Sequence, residues 1–378
     1  MTLRPLHHAL AARVEDVPFT ASDGTRLGLT RVAADDGVDR PAVLVLHGLT
    51  ASSDMFLLPE TRNLVDVLLD AGYEPWLLDW RGSCRLPYNE GRTRYSFDDV
   101  ALYDIPEAVS LIRQRTDGRP LLVVAHCIGA MCLSLSMAAG LVPGLAGVVA
   151  QGVFLTPKMS WKTRARLHFG GELLRSRFVN IPTDIKKVGL WSKHSLIFAE
   201  VSLGAECKDP NCQILHNDSW GVGGSLFVHD NLDKRTHDRL ADLYGTVPMW
   251  ILPHLRSIEL AHTMMRYDDS DGRYAALPKN ALDNADRFEA PLMLLSGDDN
   301  RFWYDSNKLC HEILTSRHPQ LDVRYVEVPG YGHLDAFIGR SAALDVFGHI
   351  VDFLDECRAT GDRPAAARPV AAPGAGVR

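Results

Sequence analysis

Apolar positions along this chain follow two rhythms. Runs of five or six apolar, often β-branched residues alternate with longer stretches whose apolar residues recur at helical spacing. Buried parallel strands and amphipathic helices produce these two signals. Residues 14–19 and 27–32 predict two strands around Ser22-Asp23-Gly24, a hairpin turn of D-G type. Residues 41–46 predict a buried strand, 60–71 an amphipathic helix ending at Gly72, and 74–78 a further strand. Ser96-Phe97-Asp98-Asp99 opens a helical stretch to residue 115, which Pro106 kinks or restarts. Residues 121–125 predict a strand, 131–140 a helix and 145–150 the next strand.

The rhythm breaks between 151 and about 290, where Trp, His and Arg are frequent and no strand–helix alternation survives. It returns with a strand at 291–296, a helix at 306–317, a strand at 323–328 and a last helix at 341–357. Two antiparallel strands followed by alternation predict an α/β fold, a mostly parallel central sheet with helices on both faces. The expected organisation is a core in two parts, residues 13–150 and 291–357, interrupted by a large helical cap insertion at 151–290. Residues 358–378, mostly Ala, Pro, Gly and Arg, are expected to be a disordered tail.

With 378 residues and 46% hydrophobic content, the chain can bury a sizeable core. Its net charge of −7 is spread without blocks, which gives no case for nucleic acid. No apolar run approaches the ~20 residues of a transmembrane helix. The first 14 residues lack the apolar stretch of a signal peptide, so a cytoplasmic location is expected. Seven cysteines in a chain this long are not a disulfide framework. Cys207 and Cys212 could close a loop disulfide or join His216 in a partial metal site. The plainer reading is two ordinary thiols, because a structural zinc needs four ligands and no second pair lies near in sequence. No metal and no cofactor are expected, since neither G-x-G-x-x-G after a strand nor a Walker-type loop occurs. The histidines at 216, 229, 237, 254 and 262 read as a polar, partly buried cap. Trp161, Trp191, Trp220 and Trp250 read as its packing.

The chemistry centres on Cys127. It lies in Ala125-His126-Cys127-Ile128-Gly129, between the 121–125 strand and the following helix. That is the layout of a nucleophile elbow, written A-x-C-x-G in place of G-x-S-x-G. His47-Gly48-Leu49, Gly297-Asp298-Asp299-Asn300 and His333 also follow predicted strands, beyond whose carboxyl ends reactive groups gather. Cys127, the Asp298–Asn300 loop and His333 fall in the chain order nucleophile, acid, base. His333 would take the thiol proton, and a nearby imidazole is expected to raise the thiolate fraction of Cys127. The backbone N–H groups of Leu49 and Ile128 would form the oxyanion hole. His47 reads as a buttress of that loop, and His126 as a structural or pocket-lining residue.

At these residues the chain resembles the α/β-hydrolase superfamily, over about residues 13–357. It looks closest to the actinobacterial hydrolase-like proteins related to the domain fused to cholesterol-oxidase-like (glucose-methanol-choline) oxidoreductases. The resemblance rests on Asp79-Trp80-Arg81-Gly82-Ser83, Leu86-Pro87, Asp98-Asp99-Val100-Ala101, His126-Cys127-Ile128-Gly129, the 207–212 segment, His229-Asp230-Asn231-Leu232, Thr236-His237 and Gly330-Tyr331-Gly332-His333-Leu334-Asp335. His333-Leu334-Asp335 is also similar to the catalytic histidine segment of acid lipases. The cysteine elbow is similar to that of polyhydroxyalkanoate synthases, which transfer acyl groups.

The superfamily's acid register, G-x-x-D, places Asn300 where an acid is expected, with Asp299 or Asp298 available after a slip of the loop and Asp305 a weaker candidate. A Cys-His-Asn set is workable where the thiolate–imidazolium pair needs orientation more than charge. The expected function is processing of an acyl ester or thioester through acyl-Cys127, on a small-molecule substrate that is free or carrier-bound. It would end in hydrolysis or in transfer to an amine or alcohol. The alternative is a catalytically idle hydrolase fold that binds an apolar ligand or partner.

Overall fold

The structure, a computed structural model, describes residues 13–34, 36–86, 88, 94–184, 194, 207–216 and 224–361. One sheet holds β1 (Arg13–Thr20), β2 (Arg26–Ala33), β3 (Ala42–Leu46), β4 (Glu74–Asp79), β5 (Leu121–His126), β6 (Gly147–Gln151), β7 (Leu292–Gly297) and β8 (Val323–Val328). Their order across the sheet is β1-β2-β4-β3-β5-β6-β7-β8. Only β2 runs against its neighbours; every pairing from β4 to β8 is parallel. β3, β4, β5, β6 and β7 are buried along their whole length, which explains their unbroken apolar sequence. Register places Leu46 beside Ala125, His126 beside Gln151 and Gln151 beside Leu295. The residues just after β3, β5, β6 and β7 therefore emerge side by side on one edge of the sheet.

Two helices begin where side chains settle their ends. The first, α1 (Leu64–Asp70), starts four residues later than its apolar pattern suggests. The Asn63 side chain takes the Asp66 N–H and Asp66 answers on the Asn63 backbone, a capping box. Pro106 lies in the first turn of α2 (Ile105–Arg115). Just before it the chain widens into a π-turn, Val100–Asp104, in which the Ile105 N–H reaches back five residues to the Val100 carbonyl. This wide turn accommodates a residue that cannot donate. After the elbow comes α3 (Ile128–Ala138), buried at every position. α4 (Ser306–Arg317) matches its expected range. The last predicted helix is two, Ala342–Asp345 and α5 (Phe347–Gly361), separated at Val346. Helix thus extends into the expected tail, and 362–378 lie outside the described residues.

Between β6 and β7 the described residues form short helices, among them Trp161–Ala165, Gly171–Arg177, Pro210–His216, Lys234–Asp238 and Leu252–Ala261. Asn180–Ile181 and Val247–Pro248 make a small antiparallel pair. Trp250 is partly buried and donates its Nε1–H to the Tyr95 carbonyl at 3.2 Å. Trp161 departs from expectation: it is 74% exposed and packs no core. Trp191 and Trp220 lie outside the described residues.

Candidate active site

Cys127 joins β5 to α3 with φ 54° and ψ −126°, a conformation that side chains rarely adopt. Its N–H is held by the Gln151 carbonyl at 3.1 Å. The turn works because its neighbours are small. A Cβ on Gly129 would lie 2.4 Å from the His47 carbonyl oxygen, and one on Gly48 would lie 2.9 Å from the His126 ring. β3, the following loop and α3 can therefore touch. That contact brings the backbone N–H groups of Leu49 and Ile128 onto the Cys127 sulfur. Trp303 adds a third donor, its Nε1–H lying 3.4 Å from Cys127 Sγ.

His333 is fully buried, in the loop after β8. One ring nitrogen of His333, one of His126 and Cys127 Sγ all lie within 4.8 Å of one another. Of the four acid candidates, only Asn300 meets His333, with Nδ2 3.5 Å from Nδ1. Asp298 instead accepts the Gly330 N–H at 2.7 Å, and Asp299 pairs with Arg301 at 2.7 Å. Asp305 pairs with Lys158 at 3.0 Å. The slip that would have brought an aspartate beneath His333 does not occur, because both carboxylates have partners outside the site.

The Asn300 amide faces His333 the unhelpful way round. Its Oδ1 accepts the Trp303 N–H at 3.1 Å, and its Nδ2 points to the Gly152 carbonyl and Ser296 hydroxyl, each at 3.4 Å. That set of partners fixes which end is nitrogen. A donor facing Nδ1 favours the tautomer protonated on Nε2, whereas a base acting on Cys127 needs Nε2 free. The workable Cys-His-Asn arrangement would present the oxygen.

Burial then acts on both partners. It pushes the Cys127 thiol up to about 11, outweighing the stabilising N–H groups of Trp303, Ile128 and Leu49. Burial, with His126 alongside, holds His333 well below the usual imidazole range. The resting pair is neutral thiol and neutral imidazole, which corrects the expectation that the imidazole would raise the thiolate fraction. Only thiolate alkylates. Iodoacetamide labelling of Cys127, followed by peptide mapping, is therefore expected to run at roughly a hundredth of an ordinary exposed thiol's rate at pH 7. It should rise about tenfold per pH unit towards pH 11. A rate already flat below pH 7 would contradict this.

The surrounding scaffold is charged and buried. Trp80 stacks on His47 with ring centroids 5.0 Å apart and donates to the His47 carbonyl at 3.0 Å. His47 Nδ1 faces the Gly48 carbonyl at 2.7 Å, and burial lowers its basicity to about 4, as suits a buttress. Asp79 gathers Ser53, Ser83 and Arg85, and Arg81 is clamped by Asp104. The Asp79-Trp80-Arg81-Gly82-Ser83 motif thus supports the loop that begins at His47.

Sequence reasoning missed Gln151, Gly152 and Trp303. Gln151 joins the two histidines, its Oε1 2.5 Å from His126 Nδ1 and its Nε2–H donated to the His333 carbonyl at 3.0 Å. The signal was a polar residue and a glycine at the end of an apolar parallel strand. Gly152 has φ 87°, and a Cβ there would lie 2.4 Å from His333 Cε1. Gly152→Ala is expected to displace the imidazole and lower kcat/KM on an aryl ester by about 10²-fold. Circular dichroism should show an intact fold.

Above Cys127 lies a cavity of about 60 Å³, walled by Leu226, Tyr244, Val247, Leu252, Leu255 and Phe302. The first five come from the segment between β6 and β7. Sites for drug-sized ligands span roughly 300–1,000 Å³. This cavity is smaller than that range. Among the described residues, Tyr244 Oη and His333 Nε2 are buried without hydrogen-bond partners and belong to residues lining this cavity.

Residues 43–349 match the alpha/beta hydrolase family, and the chain belongs to it. It is 24% identical to gastric triacylglycerol lipase of Bos taurus over 343 residues, covering 84% of this chain and 80% of that lipase. It is 30% identical to human lipase member K over 128 residues, or 30% of this chain and 32% of that one. Among solved structures, a thermostable carboxyl esterase from Bacillus coagulans aligns with TM-score 0.55 and 14% identity, covering 91% of this chain and 99% of the esterase. A lipase in an open form aligns with TM-score 0.57 and 18% identity, covering 92% and 99%. These structures establish the shared fold. No helix among the described residues is long and apolar enough to cross a membrane.

Proposed function

We propose that this chain is an enzyme acting on a small-molecule ester or thioester, with Cys127 as nucleophile and the segment between β6 and β7 as its cap. The observation that carries the reading is Cys127 itself. A non-glycine residue is held at φ 54° with its sulfur against two backbone N–H groups. Such strain persists where the surroundings over-determine it, and it clusters at reactive sites. The similar lipases and esterases named above support ester chemistry. The finer resemblance, to hydrolase-like relatives of the domain fused to cholesterol-oxidase-like enzymes and to the polyhydroxyalkanoate synthase elbow, supports cysteine in the nucleophile's place.

In the proposed step, Cys127 sulfur bonds to the acyl carbon and the bond to the leaving oxygen or sulfur breaks. The thiol proton passes by way of His333 to that leaving atom. Leu49 and Ile128 N–H groups take the carbonyl oxygen. Water or an acceptor hydroxyl or amine then attacks the thioester and frees Cys127. The apolar cavity wall suits an acyl chain, and Tyr244, which lines it, carries a buried hydroxyl with no hydrogen-bond partner among the described residues.

Intact-mass spectrometry after incubation with acyl thioesters and aryl esters tests the reading. An acyl adduct mapped to Cys127 is expected. Decay in water alone would make the enzyme a hydrolase, and decay on adding an amine or alcohol a transferase. Absence of an adduct from every donor would favour a second reading, an idle fold that binds an apolar ligand. One observation already favours that alternative: the amide nitrogen that Asn300 turns towards His333.

A further inference from the structure

Away from the elbow, the segment between β6 and β7 brings together four soft or borderline ligands from three separate pieces of chain. Cys207 lies three residues before the helix Pro210–His216 and Cys212 in its first turn, with four residues between them. His229 opens the 3₁₀ turn His229–Asn231, and His237 lies in the helix Lys234–Asp238. One ligand atom from each lies within 4.8 Å of every other. We infer that Cys207, Cys212, His229 and His237 form a structural zinc site that ties this segment together beside the loop carrying His333. This revises two sequence expectations. A second ligand pair is present after all, and it is His229 and His237 rather than His216 that the fold delivers.

The donor set fits zinc. Two cysteines and two histidines in a closed four-ligand group are a tetrahedral structural set, and thiolate with imidazole selects zinc over hard cations. Bonds of about 2.3 Å to sulfur and 2.0 Å to nitrogen put neighbouring S and N ligands roughly 3.5 Å apart. Cys207 Sγ and His237 Nε2 are 3.4 Å apart. The Asp209 N–H already donates to Cys207 Sγ at 3.3 Å, as amides do around a metal-bound thiolate.

Each histidine also has a carboxylate on its far side. Asp238 Oδ1 lies 3.5 Å from His237 Nδ1, and Asp230 Oδ1 lies 3.8 Å from His229 Nδ1. A carboxylate within hydrogen-bond reach, as Asp238 is of His237, orients a metal-binding imidazole. His229 Nε2, the nitrogen left over, is buried with no hydrogen-bond partner among the described residues. Cys212 is fully buried and the other three are half-buried; four protein ligands complete a tetrahedral shell and would leave no position for substrate. Binding releases two thiol protons, and the two thiolates neutralise the dication.

The location gives the metal a mechanical role. Two residues beyond His229, the Asn231 side chain donates to Asp335 Oδ2 and to the Gly330 carbonyl, both at 2.7 Å. The Asn231 carbonyl accepts the Arg340 N–H, and Leu232 forms a β-bridge with Gly339. On the other side of His229, the Leu226 carbonyl accepts the Leu334 N–H, and Leu226 lines the cavity over Cys127. A metal on His229 would therefore hold both the cavity wall and the His333 loop in place.

The test uses the full chain, produced without a polyhistidine tag and dialysed against a chelator, with zinc measured by plasma mass spectrometry. About one zinc per chain is expected. Cys207→Ser and His237→Ala should each lower it about tenfold, while His216→Ala and Cys127→Ser keep it. Cobalt(II) added to metal-free protein should give the visible bands of a tetrahedral thiolate site, a readout independent of catalysis and of whether any variant folds. In the native protein Cys207 and Cys212 should alkylate only after zinc is stripped. The inference is overturned by zinc-free protein that gives no cobalt spectrum, by a Cys207–Cys212 disulfide in native peptide maps, or by zinc that survives both ligand substitutions.

Discussion

Asn300→Asp is expected to raise kcat/KM on an activated aryl ester by roughly 10³-fold. The reverse change in a catalytic triad, replacing the acid by its amide, lowers the rate about 10⁴-fold. In this chain a carboxylate at 300 would keep the Trp303 N–H on one oxygen and turn the other to His333 Nδ1, now 3.5 Å from the amide nitrogen. An acceptor there selects the tautomer that leaves Nε2 free to take the thiol proton. Its charge also raises the imidazole's basicity, which burial and His126 hold down. The gain is smaller than the triad figure because the Gly152 carbonyl, 3.4 Å from Nδ2, would face an oxygen. Cys127→Ala should remove the gain entirely. If the rate is unchanged and the His333 NMR titration does not move, His333 is not the base.

Asp104→Ala is expected to destabilise the protein by about 3–5 kcal/mol, the usual effect of leaving one member of a buried ion pair unpaired. Asp104 is fully buried and accepts the Arg81 backbone N–H at 3.0 Å, its Nε–H at 3.0 Å and its Nη2–H at 2.6 Å. Without it, the buried guanidinium keeps Asp23 at 2.8 Å and the more distant Asp99 at 4.0 Å. Asp23→Ala, at the more exposed end, should cost less than half as much. Urea unfolding of the two variants measures the difference. Activity should fall along with stability in Asp104→Ala, because Arg81 follows Trp80, whose ring supports His47 and the loop leading to Cys127's neighbour Leu49. Equal stability of wild type and Asp104→Ala would show that the Arg81 charge finds water instead.

Strands and helices of the core were legible because burial on both faces writes itself into consecutive residues. β4, β7, α4 and β8 lie within one residue of their expected limits. Ends were less legible where a side chain decides them: Asn63 and Asp66 start α1 later than the apolar pattern does. The elbow could be read because strand, turn and helix are contiguous, and because a glycine two residues after Cys127 has a steric reason visible in sequence order.

What the sequence by itself determined is the layered α/β framework, the Cys127 turn, and the set of loops from which His333 and Asn300 reach one edge of the sheet. Those features follow from local periodicity and from chain order. Tertiary structure alone decided which atom of Asn300 meets His333, since the Trp303 N–H claims the oxygen. It also decided that Asp298 and Asp299 serve Gly330 and Arg301. The same holds for the charge state of Cys127, which depends on how much water packed neighbours exclude. Most of all it decided the meeting of Cys207 and Cys212 with His229 and His237. Contacts between residues far apart in sequence leave no periodic trace, so only the folded chain can show them.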